Sequence, residues 1–152
     1  MRHLQLGFAA VTALLVFAHP GSADKKPRPA QKVGGQYLAN TYNGNSWKWS
    51  KGYAYFGGGG VFKAIWEDRG YAEGKWYATQ SGNVCYEAHW KSNKGEEDRK
   101  VCWSHVSDAD GVVWQRSSSD RNDWYRLRPE TRFERGFVFK RSFNHIKRGL
   151  GG

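Results

Sequence analysis

The chain has 152 residues, enough for one domain with a real core and too few for two ordinary ones. Its 24 Lys+Arg against 14 Asp+Glu give a formal charge of +10, which attracts anionic partners such as lipid surfaces, acidic glycans or nucleic acid, unless it serves only solubility. Trp, Tyr and Phe number 8 each while Leu and Ile are scarce, so the core must be built from rings, and an ordinary aliphatic helical core is excluded.

The first segment reads as a secretory signal peptide, residues 1–23. Met1-Arg2-His3 is a short basic start, and Leu4 to Ala18 is an apolar run. His19-Pro20 breaks the run, and Gly21-Ser22-Ala23 places small residues before a cut after Ala23. A spanning helix needs about 20 apolar residues, more than this run supplies. The expectation is export to the periplasm or the outside.

Residues 24–35 are rich in Pro, Lys and Gly and read as a flexible basic leader. Gln36 to Tyr42 has room for one short helical turn before Asn43-Gly44, a turn signal. The single β domain is expected over 36–143.

From Asn45 the chain breaks into short runs between Gly, Asn, Ser and Asp. Trp47 and Trp49 alternate with Lys48, and Tyr53 to Phe56 follows the Lys51-Gly52 turn. In Val61 to Glu67, Phe62, Ala64 and Trp66 share a face opposite Lys63, Ile65 and Glu67. Gly74 to Thr79, Val112 to Ser117 and Asp123 to Arg128 supply further strands. Turn signals every 8–12 residues predict an all-β antiparallel meander of about eight strands, closed into a small, lipocalin-like barrel or folded as a sandwich. Phe137-Val138-Phe139 reads as a last strand, and 144–152 as a disordered basic tail.

The two cysteines, Cys85 and Cys102, lie in strand-like runs flanking a polar loop. An exported chain with only two predicts one disulfide pinning a hairpin. Pairing them fixes a register. Glu87 then faces Lys100, and His89 faces Asp98, on the cysteine side. Val84 faces Trp103, and Tyr86 faces Val101, on the other side. Ala88 opposite Arg99 and Trp90 opposite Glu97 fit the apolar side less well. The register also puts His89 and His105 on opposite faces, which argues against a shared metal site. No metal or other cofactor is implied.

No residue pattern meets the requirements of a catalytic site. Gly57 to Gly60 precedes a strand, whereas a phosphate cradle opens a helix, so it reads as a turn. Asp108-Ala109-Asp110-Gly111 lacks the remaining ligands of a calcium loop and also reads as a turn. Glu96-Glu97-Asp98 sits among cations in a hairpin loop, where nothing raises a carboxyl pKa. Binding chemistry is carried instead by rings interleaved with cations, densest at Trp47, Lys48 and Trp49 and at Trp124 and Arg126. Simple alternation, rings inward and cations outward, accounts for the same pattern.

Trp47-x-Trp49-x-x-Gly52-x-x-Tyr55-Phe56, Phe62-x-Ala64, Gly74-x-Trp76, Val84-Cys85-Tyr86, Trp90 and Cys102-x-x-His105 form a combined pattern. It resembles an uncharacterised family of small exported bacterial proteins, domain of unknown function 995, from Tyr42 to His105 with a weaker continuation to Leu127. The resemblance implies a one-domain periplasmic or secreted protein and carries over no activity. The leading expectation is non-enzymatic binding of a small ligand, an anionic glycan or an envelope lipid surface, with nucleic acid disfavoured. The alternatives are an inhibitor or structural partner of another envelope protein, and a hydrolase of envelope glycans, which needs two carboxyls facing across a cleft.

Overall fold

The computed structural model describes residues 26–118 and 123–152. The expected signal peptide, 1–23, lies outside the described residues. In chain order the elements are β1 (Gln31–Lys32), α1 (Gly35–Tyr42), β2 (Asn45–Trp49), β3 (Gly52–Phe56), a 3-10 turn (Gly58–Gly60), β4 (Val61–Trp66), β5 (Gly70–Ala78) and β6 (Asn83–Ser92). Then come β7 (Gly95–Ser107), β8 (Val113–Ser117), β9 (Tyr125–Arg126), α2 (Pro129–Arg132), β10 (Phe133–Arg135) and α3 (Lys140–Gly149).

All ten strands belong to one antiparallel sheet, curled into a half-barrel. From β2 to β9 each strand pairs with the next in the chain, β10 adds to the free edge of β2, and β1 pairs with β7. This is the expected meander. The two strands beyond the expected eight or so are short additions that carry little periodic signal. Because β9 leads through α2 into β10, the chain itself brings the two ends of the sheet together. No ladder joins them among the described residues.

Period-two alternation decides which side of the sheet is filled. Ala54 and Phe56, Phe62 and Ala64, and Val84, Tyr86 and Ala88 are buried on the concave side. Helix α1 enters that side at one end, where Leu38 and Tyr42 are fully buried. Gly44, at φ 74°, takes the left-handed turn that ends the helix and feeds β2. Asp108 organises the β7–β8 connection. Its carboxylate accepts from the backbone N–H groups of Asp110 (3.0 Å) and Val112 (2.9 Å) and from Trp114 Nε1 (2.9 Å). The Asp-Ala-Asp-Gly stretch is therefore a turn.

The hairpin of β6 and β7 has the register fixed by its cysteines. Cys85 faces Cys102, Val84 faces Trp103, and Glu87 faces Lys100. The disulfide is formed on the convex side, beside ion pairs Glu87–Lys100 (2.7 Å) and His89–Asp98 (2.9 Å). Closing this loop is worth about 3 kcal/mol in the chain-entropy model. A disulfide of this kind suits a compartment where thiols stay oxidised.

Two expectations for the ends of the chain need correction. The leader is not flexible throughout, because Gln31 and Lys32 pair with Ser107 and Val106, and Val33 is buried in the core. The tail is not disordered, and 137–139 is not a strand. Phe139, Phe143 and Ile146 fall three or four apart, and α3 packs them on the convex face against Ile65 and Tyr71. Phe137 stacks on Tyr55 at 5.0 Å and Phe139 on Tyr53 at 5.3 Å. Each such buried ring contributes roughly 1.5–3 kcal/mol, enough to hold a short, cation-rich helix.

Helix α3 is also tied electrostatically. Glu73 on β5 accepts from Lys63 (2.8 Å) and from Lys147 of α3. Partial burial opposes ionisation of Glu73, but the two ammonium groups win and hold its carboxyl below the usual range. A carboxyl with a depressed pKa lends stability above its unfolded pKa, lost as the pH falls through its folded pKa. Glu73→Gln is therefore expected to cost up to about 1 kcal/mol at pH 7, since the pair is partly exposed. Amide exchange should quicken in 143–150 at neutral pH, with the difference from wild type vanishing in acid.

Candidate functional site

The concave side has two unlike ends. At the α1 end a buried polar trio fills the space. The Tyr42 hydroxyl donates to Gln115 Oε1 (3.1 Å) and meets His105 Nε2 at 2.9 Å. It therefore accepts from Nε2–H, leaving His105 Nδ1 bare and without a partner among the described residues. Burial pushes His105 down to about 4 and raises the Tyr42 phenol. The imidazole is neutral at pH 7.

At the other end, where the β2–β3, β4–β5 and β6–β7 hairpins turn, the interior is not filled. It forms a cup of about 480 Å³. Trp47, Trp49, Phe62, Tyr86, Trp90 and Trp103 line it, with Ala54 leaving room at its base. The rings form a connected series. Phe62 stacks on Tyr86 at 4.3 Å, Tyr86 meets Trp103 at 5.6 Å, Trp103 meets Trp47 edge-on at 5.2 Å, and Trp47 lies 6.2 Å from Trp49. Apolar concavities of this size are the usual form of small-molecule sites.

Polar groups gather on the β6–β7 side of the mouth. Glu97 and Arg99 project into the cup from β7, joined by a 2.8 Å ion pair through Arg99 Nε. Lys91, Lys94 and Arg69 complete the rim. Glu97 is the one carboxylate among the described lining residues, so the cup does not offer the facing pair that a glycan hydrolase needs. The Tyr86 phenol is raised by burial, with Arg99 and Glu97 close by. Trp90 Nε1 lies near it but is buried without a well-formed hydrogen bond. A buried donor left open costs about 1–3 kcal/mol unless something else accepts from it.

A family model described as "Protein of unknown function (DUF995)" matches residues 9–138. The chain belongs to this family. No curated protein and no solved structure matches the chain. The matched span of this DUF995 member takes in every strand of the sheet and the whole cup, and stops before α3 begins at Lys140.

The residues singled out in the sequence are not gathered in one place. Trp47 and Trp49 line the cup. Lys48, between them, points to the other side of the sheet, where its ammonium lies 5.7 Å from the Tyr53 ring. Trp124 is buried in a separate cluster with Val106 and Trp114. Arg126 is exposed and lies over the Trp114 ring at 5.2 Å. Trp90, Trp103, Tyr86 and Arg99 went unmarked as site residues. A signal for them was present: Ala88 opposite Arg99 and Trp90 opposite Glu97 break the apolar face of the hairpin, and that break is the polar wall of the cup. Charges set on a core-facing side are where a fold departs from its own pattern, and such departures concentrate at sites.

Proposed function

We infer that this protein is a non-enzymatic binding protein of the exported envelope compartment, and that its cup holds one small ligand with a flat or apolar body. The observation that carries this reading is the unfilled, ring-lined end of the half-barrel, about 480 Å³, whereas at the opposite end Leu38, Tyr42 and His105 are buried in the interior. The apolar run at Leu4 to Ala18 and the convex-side disulfide support export.

The test uses N-phenyl-1-naphthylamine, a neutral dye whose emission rises in apolar surroundings. It is expected to bind one to one, with energy transfer from tryptophan. Trp103→Ala and, separately, Trp49→Ala should each weaken it on the order of tenfold, the loss of one large stacking surface. No binding to the wild type, or unchanged binding in both variants with native circular dichroism, would rule out the cup as the site.

A further inference from the structure

We propose that the ligand of the cup is an amphipathic anion, a ring or acyl body carrying a single carboxylate, sulfate or phosphate head that sits against the β6–β7 hairpin. This rests on the reading of the cup as a binding site and adds the chemical class of its occupant.

Two observations converge. The lining sets three cations, Arg69, Lys94 and Arg99, against one carboxylate, Glu97, while the ammonium of Lys91 is taken up by Glu96 on the convex side. Glu67 approaches Arg69 at 3.8 Å and partly neutralises it from outside the cup. Lys94, at the hairpin tip, has no carboxylate partner among the described residues. Secondly, the asymmetry is spatial. The cations rim the β4–β5 and β6–β7 turns, while Trp47, Phe62 and Trp103 occupy the deeper wall. A ligand apolar at one end and anionic at the other matches both.

Glu97 has a definite part in this arrangement. Its ion pair with Arg99 holds the guanidinium at the mouth in the empty protein. An entering anion then competes with Glu97 for Arg99, so removal of the carboxylate should tighten anion binding.

The experiment compares two dyes with the same anilinonaphthalene body. One is neutral N-phenyl-1-naphthylamine; the other is 1-anilinonaphthalene-8-sulfonate, which adds one anionic group. The sulfonate is expected to bind about tenfold more tightly at low salt, the worth of one or two partly screened charge contacts. In the double variant Lys94→Gln/Arg99→Gln the ratio of the two affinities, measured on the same protein, should fall towards one. Glu97→Gln should tighten the sulfonate alone by roughly two- to fivefold. Equal binding of the two dyes to the wild type, or a preference that survives the double variant, would overturn the anion class and leave the cup standing. Failure of both dyes removes the cup and the class together. Displacement of bound sulfonate by monomeric decyl phosphate, by phosphatidylglycerol vesicles, or by both separates a free amphiphile from one drawn out of a bilayer. Displacement by neither counts against the class.

Discussion

Gly74→Ala is expected to destabilise the protein by on the order of 3–5 kcal/mol, enough to leave much of it unfolded at 37 °C. Gly74 lies in the middle of β5, paired with Phe62 on one side and Ala88 on the other. A methyl there would stand 2.1 Å from the Glu87 carbonyl oxygen and 2.5 Å from Ala88 Cα. Both are backbone atoms of β6, so no side-chain rotation relieves the clash. The two central strands of the sheet would have to part. An interior strand glycine with this role marks a close approach between backbones. Gly58→Ala is the matched control, since nothing lies within 4 Å of the added methyl. Urea unfolding followed by tryptophan emission, disulfide intact, should show a large loss for the first and a change within about 0.5 kcal/mol for the second.

Acid should unfold the protein through its interior. His105 is fully enclosed, its Nε2 committed to Tyr42 and its Nδ1 bare. Protonation would place a cation beside a phenol and an amide, with no carboxylate in contact. Its folded pKa, about 4, lies below the ordinary value of 6.5. Between those two values the unfolded chain binds the proton and the folded one refuses it. The neutral imidazole's contribution is therefore complete above pH 6.5 and disappears as the pH falls to about 4, a change of about 3 kcal/mol. His105→Gln keeps a neutral donor for Tyr42 without a titrating ring. The wild type should lose about 3 kcal/mol of unfolding free energy between pH 7 and pH 4, and the variant under about 1 kcal/mol. Parallel curves for the two proteins would mean that another group sets the acid limit. The variant is needed because Glu73 and Asp108, both held below their ordinary values, add acid sensitivity of their own at lower pH.

Local periodicity made the β6–β7 hairpin legible. Two cysteines and one alternation fix a register that extends from Asn83 opposite Ser104 to Ser92 opposite Gly95. The meander was legible for the same reason, since each strand pairs with its neighbour in the chain. The cup was not. Its wall takes Trp47 from β2, Phe62 from β4 and Trp103 from β7, and no spacing along the chain reveals that these rings surround one space. Only the Arg99 and Glu97 misfits pointed there. Helix α3 was obscured by its own rings. Phe137 and Phe139 alternate as a strand would, while Phe139, Phe143 and Ile146 carry the helical spacing that prevails. The trio of Tyr42, Gln115 and His105 joins α1 to the β7–β8 hairpin; the register had placed His105 on the apolar side, but no spacing linked it to Tyr42.

The unladdered meeting of β9 and β10 makes the half-barrel stiffer in one direction than in the other. Along the sheet, continuous hydrogen bonding from β10 round to β9 resists stretching. Across the concave interior, the Trp47–Trp103 ring contact at 5.2 Å joins β2 to β7 without a ladder, and such contacts slide at little cost. The mouth therefore yields sideways before it yields lengthwise. A guest bulkier than the cup would have to part Trp47 from Trp103, like a split collar opening.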